Sequence, residues 1–399
     1  MSKSLTVLKG LAGLVRLTGL TGLSAVLLMS CGDPVKNGPS PIIPEDSTKV
    51  PPIVIPSDTA SYPYASALAV YGDYVYVACQ RLNDQFEVAD TSLIAVIDTR
   101  TDEIVASIKL NKRNPASMDI FGDKLLVSSS GSWSDPDNAG AGVEMIDLAS
   151  NENLGLIADG NAFGGSLGDV IFISSNKAYA AAMTANWTTD IIEFNPQTKT
   201  VGAKINGISD GSGGLAYDGS MLYVGDRGFG AAGVAAVNPS TNTVEQTIST
   251  GMPPSGLAII FSADVASGVA ATTIASDYSA ANFELISIMN NYSVNPNLIP
   301  SLHTDNAVRS FGGDVYVLER LGKDNVIRYN AERTAVEYQE NIGAGVNIQD
   351  IAVVSETKAY ISCYQSVDLV VFNPKTGKKV SAIDLSRFNA YARNQSDTL

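Results

Sequence analysis

His303 is the only histidine in this 399-residue chain. One imidazole cannot build a His-rich zinc centre, and any Ser-His-Asp relay would have to run through that single residue. No P-loop or CxxC pattern occurs, so nucleotide and haem chemistry are not expected. Asp135, Asp137, Asn138 and Glu144 cluster in a Gly-rich stretch, and calcium is the one cofactor they could recruit. Calcium needs six to eight oxygens, and this spacing is not that of an EF-hand. A solvated acidic loop is the simpler expectation, with no catalytic, cofactor-binding or metal residue assigned.

Three cysteines are present. Cys79 and Cys363 each lie three residues after a strand tyrosine, Tyr76 and Tyr360. On adjacent blades of a sevenfold ring, equivalent Cα atoms on second strands would be about 10 Å apart, beyond the roughly 7 Å a disulfide spans. Two buried free thiols are expected.

The third cysteine, Cys31, closes a different pattern. The first thirty residues hold Lys3, Lys9 and Arg16 and no acid, and an apolar run extends from Leu17 to Met29. That run is shorter than the about 20 residues of a membrane-spanning helix and has the layout of an export signal. Leu28-Met29-Ser30-Cys31 resembles the lipobox of bacterial lipoproteins, which implies cleavage before Cys31 and its acylation. Gly32 rather than Asp follows, so by analogy with enteric bacteria the expected address is the outer membrane, on its periplasmic or surface face. Residues 31–63 read as the lipidated Cys and a Pro-rich tether holding eight of the 17 prolines, a semi-rigid spacer.

Net charge is −15, and −18 once the three leader cations are removed. A chain this acidic is repelled by nucleic acid, which is excluded as a partner.

The remainder is periodic. Tyr76-Val77, Leu126-Val127, Tyr179-Ala180, Tyr223-Val224, Tyr316-Val317 and Tyr360-Ile361 recur at 44–53 residues, with one doubled gap that places a degenerate copy near Val269. Asp98, Asp147, Asn195, Asn238, Asn330 and Asn373 end a second recurring strand and skip the same copy. Asn and Asp at those ends, often before Pro, open tight turns. Four strands per copy and seven copies predict an all-β, seven-bladed β-propeller over residues 64–390, with a tail at 391–399. Copy five, with an insertion from Asn290 to Thr304, is expected to be the least regular.

These repeats resemble the YVTN-repeat, YncE-like propellers of prokaryotic envelope proteins. The resemblance implies a platform for varied binding roles rather than one activity. Chain order puts the loops between second and third strands, together with the blade-to-blade connections, on one variable face. Trp133, Trp187, Phe229 and Tyr364 fall in those loops, while Arg81, Asp226-Arg227 and Glu319-Arg320 lie at strand ends near the mouth of the channel. These nine residues are the candidate ligand-binding set. The expectation is a monomeric lipoprotein with a non-enzymatic role, binding an envelope protein, peptide or glycan. A hydrolase, lyase or oxidoreductase acting at the central channel is the alternative.

Overall fold

A computed structural model describes residues 62–390, except 84, 133–137, 231 and 263–264. The leader, Cys31, nearly all of the tether and the tail lie outside the described residues. Seven four-stranded antiparallel sheets follow one another: β1–β4 (residues 65–109), β5–β8 (115–159), β9–β12 (166–204), β13–β16 (215–249), β17–β20 (254–295), β21–β24 (306–341) and β25–β28 (348–384). In each sheet the four strands pair in chain order. The first strands touch their counterparts on both neighbours around the full circle, β25 returning to β1. They form the inner ring, and the fourth strands, mostly exposed, form the rim. This is the predicted seven-bladed propeller.

The Tyr-Val repeat is explained by strand geometry. Successive side chains point to opposite faces of a strand, and both faces of a blade are covered. Tyr76 packs toward the second blade, and Val77 packs toward the seventh. Tyr179-Ala180, Tyr223-Val224, Tyr316-Val317 and Tyr360-Ile361 divide their side chains between neighbouring interfaces in the same way. Hence seven interblade clusters replace a single core. In the degenerate fifth copy the matching pair is Ala270-Ala271, on β18 (Val265–Ile274), one residue past the expected position. Phe283 and Tyr329, ring centroids 5.0 Å apart, fill the interface that lacks the tyrosine.

The turn residues serve the same interfaces. Tyr76 Oη donates to Asn151 Oδ1 at 2.9 Å, Tyr179 Oη donates to Asn242, and Tyr360 Oη donates to Asp102. Asn151, Asn242 and Asp102 are the left-handed residues (φ 56–59°) of the next blade's outer turn. The two halves of the repeat, recognised separately as tyrosine and turn, are therefore partners across three of the seven seams.

Among the described residues, the first and last blades share no strand. Side chains close the ring instead. Lys358 Nζ donates to Thr99 O and pairs with Asp102 at 2.8 Å, and Ser362 Oγ donates to Ser66 O. Copy five is indeed irregular: its fourth strand, β20, shrinks to Ser293–Asn295 and uses part of the predicted insertion. No described helix is long and apolar enough to cross a membrane.

Candidate functional site

The variable face is built by the loops between second and third strands. Three of these loops share one turn. Phe86 N donates to Asn83 O, Trp187 N to Thr184 O, and Tyr278 N to Ala275 O, at 2.8–3.0 Å. Each of these aromatics sits in the left-handed region, at φ 61°, 63° and 59°. Glycine is the natural occupant of such a position; a bulky side chain there costs about 1–2 kcal/mol. The rings are nevertheless exposed, at 41%, 65% and 56%. Phe229, in the fourth blade's loop, is fully exposed. The face thus presents Phe86, Trp187, Phe229 and Tyr278 from four of the seven blades.

Tyr364 behaves differently. It is buried between the first and last blades, its ring 5.0 Å from Tyr64 and stacked at 6.3 Å on Phe86. Its hydroxyl donates to Gln80 Oε1 at 2.6 Å, and burial raises its pKa. Phe86 is the exposed edge of this seam cluster.

The charged candidates are drawn into the fold. Arg81 is buried, donates from Nε to Phe388 O at 2.9 Å and pairs with Asp90 at 2.5 Å, clamping the end of the last blade. Asp226 accepts the amides of Ser209, Asp210 and Gly228 at 2.8–2.9 Å. Arg227 donates to Pro254 O. Glu319 accepts His303 N, Asn325 Nδ2 and Gln339 Nε2, and Arg320 pairs with Asp305 at 2.6 Å. Each set pins a blade-to-blade connection, and desolvation lowers the Arg320 pKa. The structure does not bring these five residues together into one cluster around a ligand. Glu144 is likewise committed, accepting Asn111 and Lys112 amides at 2.8 Å. Trp133, Asp135, Asp137 and the lipidation candidate Cys31 lie outside the described residues. Residues 228–233 spell GxGxxG, but they join antiparallel strands β14 and β15 rather than a strand to a helix, so no dinucleotide cradle forms.

Sequence reasoning missed a second site, on the inner ring. Asp169 on β9, Arg309 on β21 and Asp350 on β25 are buried, and Asp119 on β5 is half-buried. Asp119 Oδ2 accepts Phe172 N at 2.6 Å, Asp169 Oδ2 accepts Leu215 N at 3.2 Å, and Asp350 Oδ2 accepts Leu68 N at 2.8 Å. Each carboxylate therefore ties its blade to the next. Arg309 Nε pairs with Asp350 Oδ1 at 2.7 Å. Burial pushes the Asp119 carboxyl up to about 7. Burial also lifts Asp169 well above the ordinary carboxylate range; Arg309 opposes that shift, while Asp350 and Asp119 add to it. A cluster of this kind can hold a proton near neutrality. The sequence signal was a charge inside an otherwise apolar first strand.

No protein-family model matches the chain, and no curated protein matches it. Among solved structures the chain is similar to Kuenenia stuttgartiensis hydrazine synthase, with TM-score 0.60 and 14% identity over 85% of this chain and 99% of that one. It is also similar to the computationally designed Ika8 protein, with TM-score 0.54 and 12% identity over 81% and 88%. At such identities the likeness is one of fold, and the fold they share with this chain is the β-propeller.

Proposed function

We propose that this chain is an exported envelope lipoprotein of the YVTN-repeat, YncE-like kind that binds a partner through the variable-loop face. The observation that carries the reading is the display of Phe86, Trp187, Phe229 and Tyr278 on that one face, three of them in backbone positions that disfavour large side chains. Exposed aromatics anchor interfaces more often than any other apolar residue. The lipobox-like end at Cys31 supports an anchored platform. The test compares wild type with the Trp187→Ala/Phe229→Ala double variant in native membranes. Unchanged thermal unfolding with lost capture of the wild-type partner is expected. Intact capture by the double variant overturns the reading.

The inner-ring cluster favours a second reading, action at the channel. Asp169 Oδ1 is buried without a hydrogen-bond partner, and Asp119 titrates near neutrality. Partner capture or turnover lost in Asp169→Asn but kept in the aromatic double variant would move the site to the axis.

A further inference from the structure

On each first strand, one residue directly precedes the position paired with Val77 or its equivalent. In three blades its side chain reaches the next blade. Ser117 Oγ accepts Val170 N at 3.4 Å, Asp169 Oδ2 accepts Leu215 N at 3.2 Å, and Asp350 Oδ2 accepts Leu68 N at 2.8 Å. The other four blades carry Ala67, Gly214, Gly256 and Ala307 there, whose side chains accept nothing. A hydroxyl, or no polar group at all, thus serves these seams, and the tie alone does not account for two buried carboxylates.

Burying an ionised carboxylate is costly unless a countercharge meets it. Asp350 has one: its Oδ1 pairs with Arg309 Nε at 2.7 Å and accepts Ile351 N at 2.8 Å. Asp169 is fully buried, and its Oδ1 has no hydrogen-bond partner. Arg309 and Asp350 stand on the sixth and seventh blades, neither of which adjoins the third or the fourth. Both nevertheless act on the Asp169 carboxyl, as does Asp119 of the second blade. These groups therefore face one another across the axis. Asp119 keeps open surface although its blade is packed on both sides, so that surface belongs to the bore. All four groups stand on first strands described over their whole length.

The site is negative and rich in acceptors. Three carboxylates meet one guanidinium, which is engaged with Asp350 and, through Nη1, with Val308 O at 2.7 Å. An anion is repelled. A metal ion needs several protein ligands, and no group of three or more His, Cys, Asp or Glu side chains is placed to hold one among the described residues. A quaternary ammonium brings charge and no N–H. A primary ammonium brings a countercharge and three N–H donors, the complement of a carboxylate oxygen that only accepts.

We infer that the bore binds a small primary ammonium ion, with Asp169 Oδ1 as its acceptor and the carboxylates of Asp119 and Asp350 contributing to its field. This inference rests on the reading of action at the channel, and it names the ligand class. Burial raises both the Asp169 and the Asp119 carboxyl; at Asp169, Arg309 opposes the rise while Asp350 and Asp119 add to it. Entry of a cation favours the ionised forms, so binding expels a proton and tightens as pH rises.

The probes are methylammonium and n-butylammonium, with tetramethylammonium as the control. Each is titrated calorimetrically at millimolar concentration and constant ionic strength into the full-length chain in detergent. Two buffers of different protonation enthalpy count the protons released. At least one primary ammonium is expected to bind with proton release, and tetramethylammonium is not. Asp169→Asn keeps an oxygen for Leu215 N and should weaken binding about tenfold or more. Asp119→Asn should lower the proton count and keep part of the affinity, and Trp187→Ala/Phe229→Ala should bind as wild type does. Thermal unfolding of each variant verifies that the fold persists. Absence of binding by both primary ammonium ions overturns the inference, as does equal binding of tetramethylammonium. Affinity and proton count unchanged in both aspartate variants overturn it too. If Asp169→Asn abolishes partner capture or turnover while no primary ammonium binds, the channel reading stands and the ammonium assignment falls.

Discussion

Arg309 Nε lies 2.7 Å from Asp350 Oδ1, while Asp350 Oδ2 accepts the amide of Leu68 at 2.8 Å. One carboxylate therefore joins the sixth blade to the seventh and the seventh to the first. Because no strand crosses that last seam among the described residues, this contact replaces part of what shared strand pairing would supply. Asp350→Ala leaves a buried guanidinium and a buried amide without their acceptor. The expected loss is about 3–5 kcal/mol, read from the urea midpoint. A variant within about 0.5 kcal/mol of wild type would remove Asp350 from ring closure.

The inner ring also makes a pH prediction. Burial raises the Asp119 carboxyl to about 7 in the folded state, against about 3.9 in the unfolded chain. Between those values the folded protein binds the extra proton, so stability from this group is full below about pH 4 and declines as pH rises toward 7. Asp119→Asn keeps an oxygen for Phe172 N and carries no charge. Its stability relative to wild type should increase from pH 4 to 7, by an amount on the order of a few kcal/mol. A difference between the two proteins that stays constant over this range would contradict the assignment.

The tyrosine-to-turn contacts are testable singly. Tyr179→Phe removes the hydroxyl that donates to Asn242 and leaves the ring in its interface. A loss of about 0.5–1.5 kcal/mol is expected in denaturant unfolding. No loss would mean that the ring alone accounts for the repeat.

Cys79 and Cys363 are free and buried, and burial pushes both thiols up to about 12. The native chain should resist iodoacetamide at neutral pH at both positions. After unfolding in guanidinium, mass spectrometry should find both alkylated without prior reduction. Labelling that requires reductant would reveal a disulfide.

Trp187 and Tyr278 occupy positions that glycine would fill more easily. Trp187→Gly and Tyr278→Gly relieve left-handed backbone strain of about 1–2 kcal/mol, offset by greater freedom of the unfolded chain. Thermal unfolding should stay near the wild-type midpoint or rise. A large fall would show that these rings pack their own loops and are not there for a partner.

What the sequence determined by itself was the part that repeats. Tyr76-Val77 and its relatives announce blades covered on both faces, because adjacent strand residues point to opposite sides and both must be apolar. Asn195, Asn238 and their counterparts announce the outer turns, because those side chains bond to their own local backbone, as Asn195 Oδ1 does with Gln197 and Thr198 amides. Local rules of this kind can be read along the chain. Only the tertiary structure decided which charges were spoken for. Arg81, Asp226, Glu319 and Arg320 looked like the rim of an open channel, yet their partners come from connections up to 308 positions away in sequence. Asp119, Asp169, Arg309 and Asp350 lie between 41 and 231 positions apart and share one electrostatic environment only because the inner strands close into a ring.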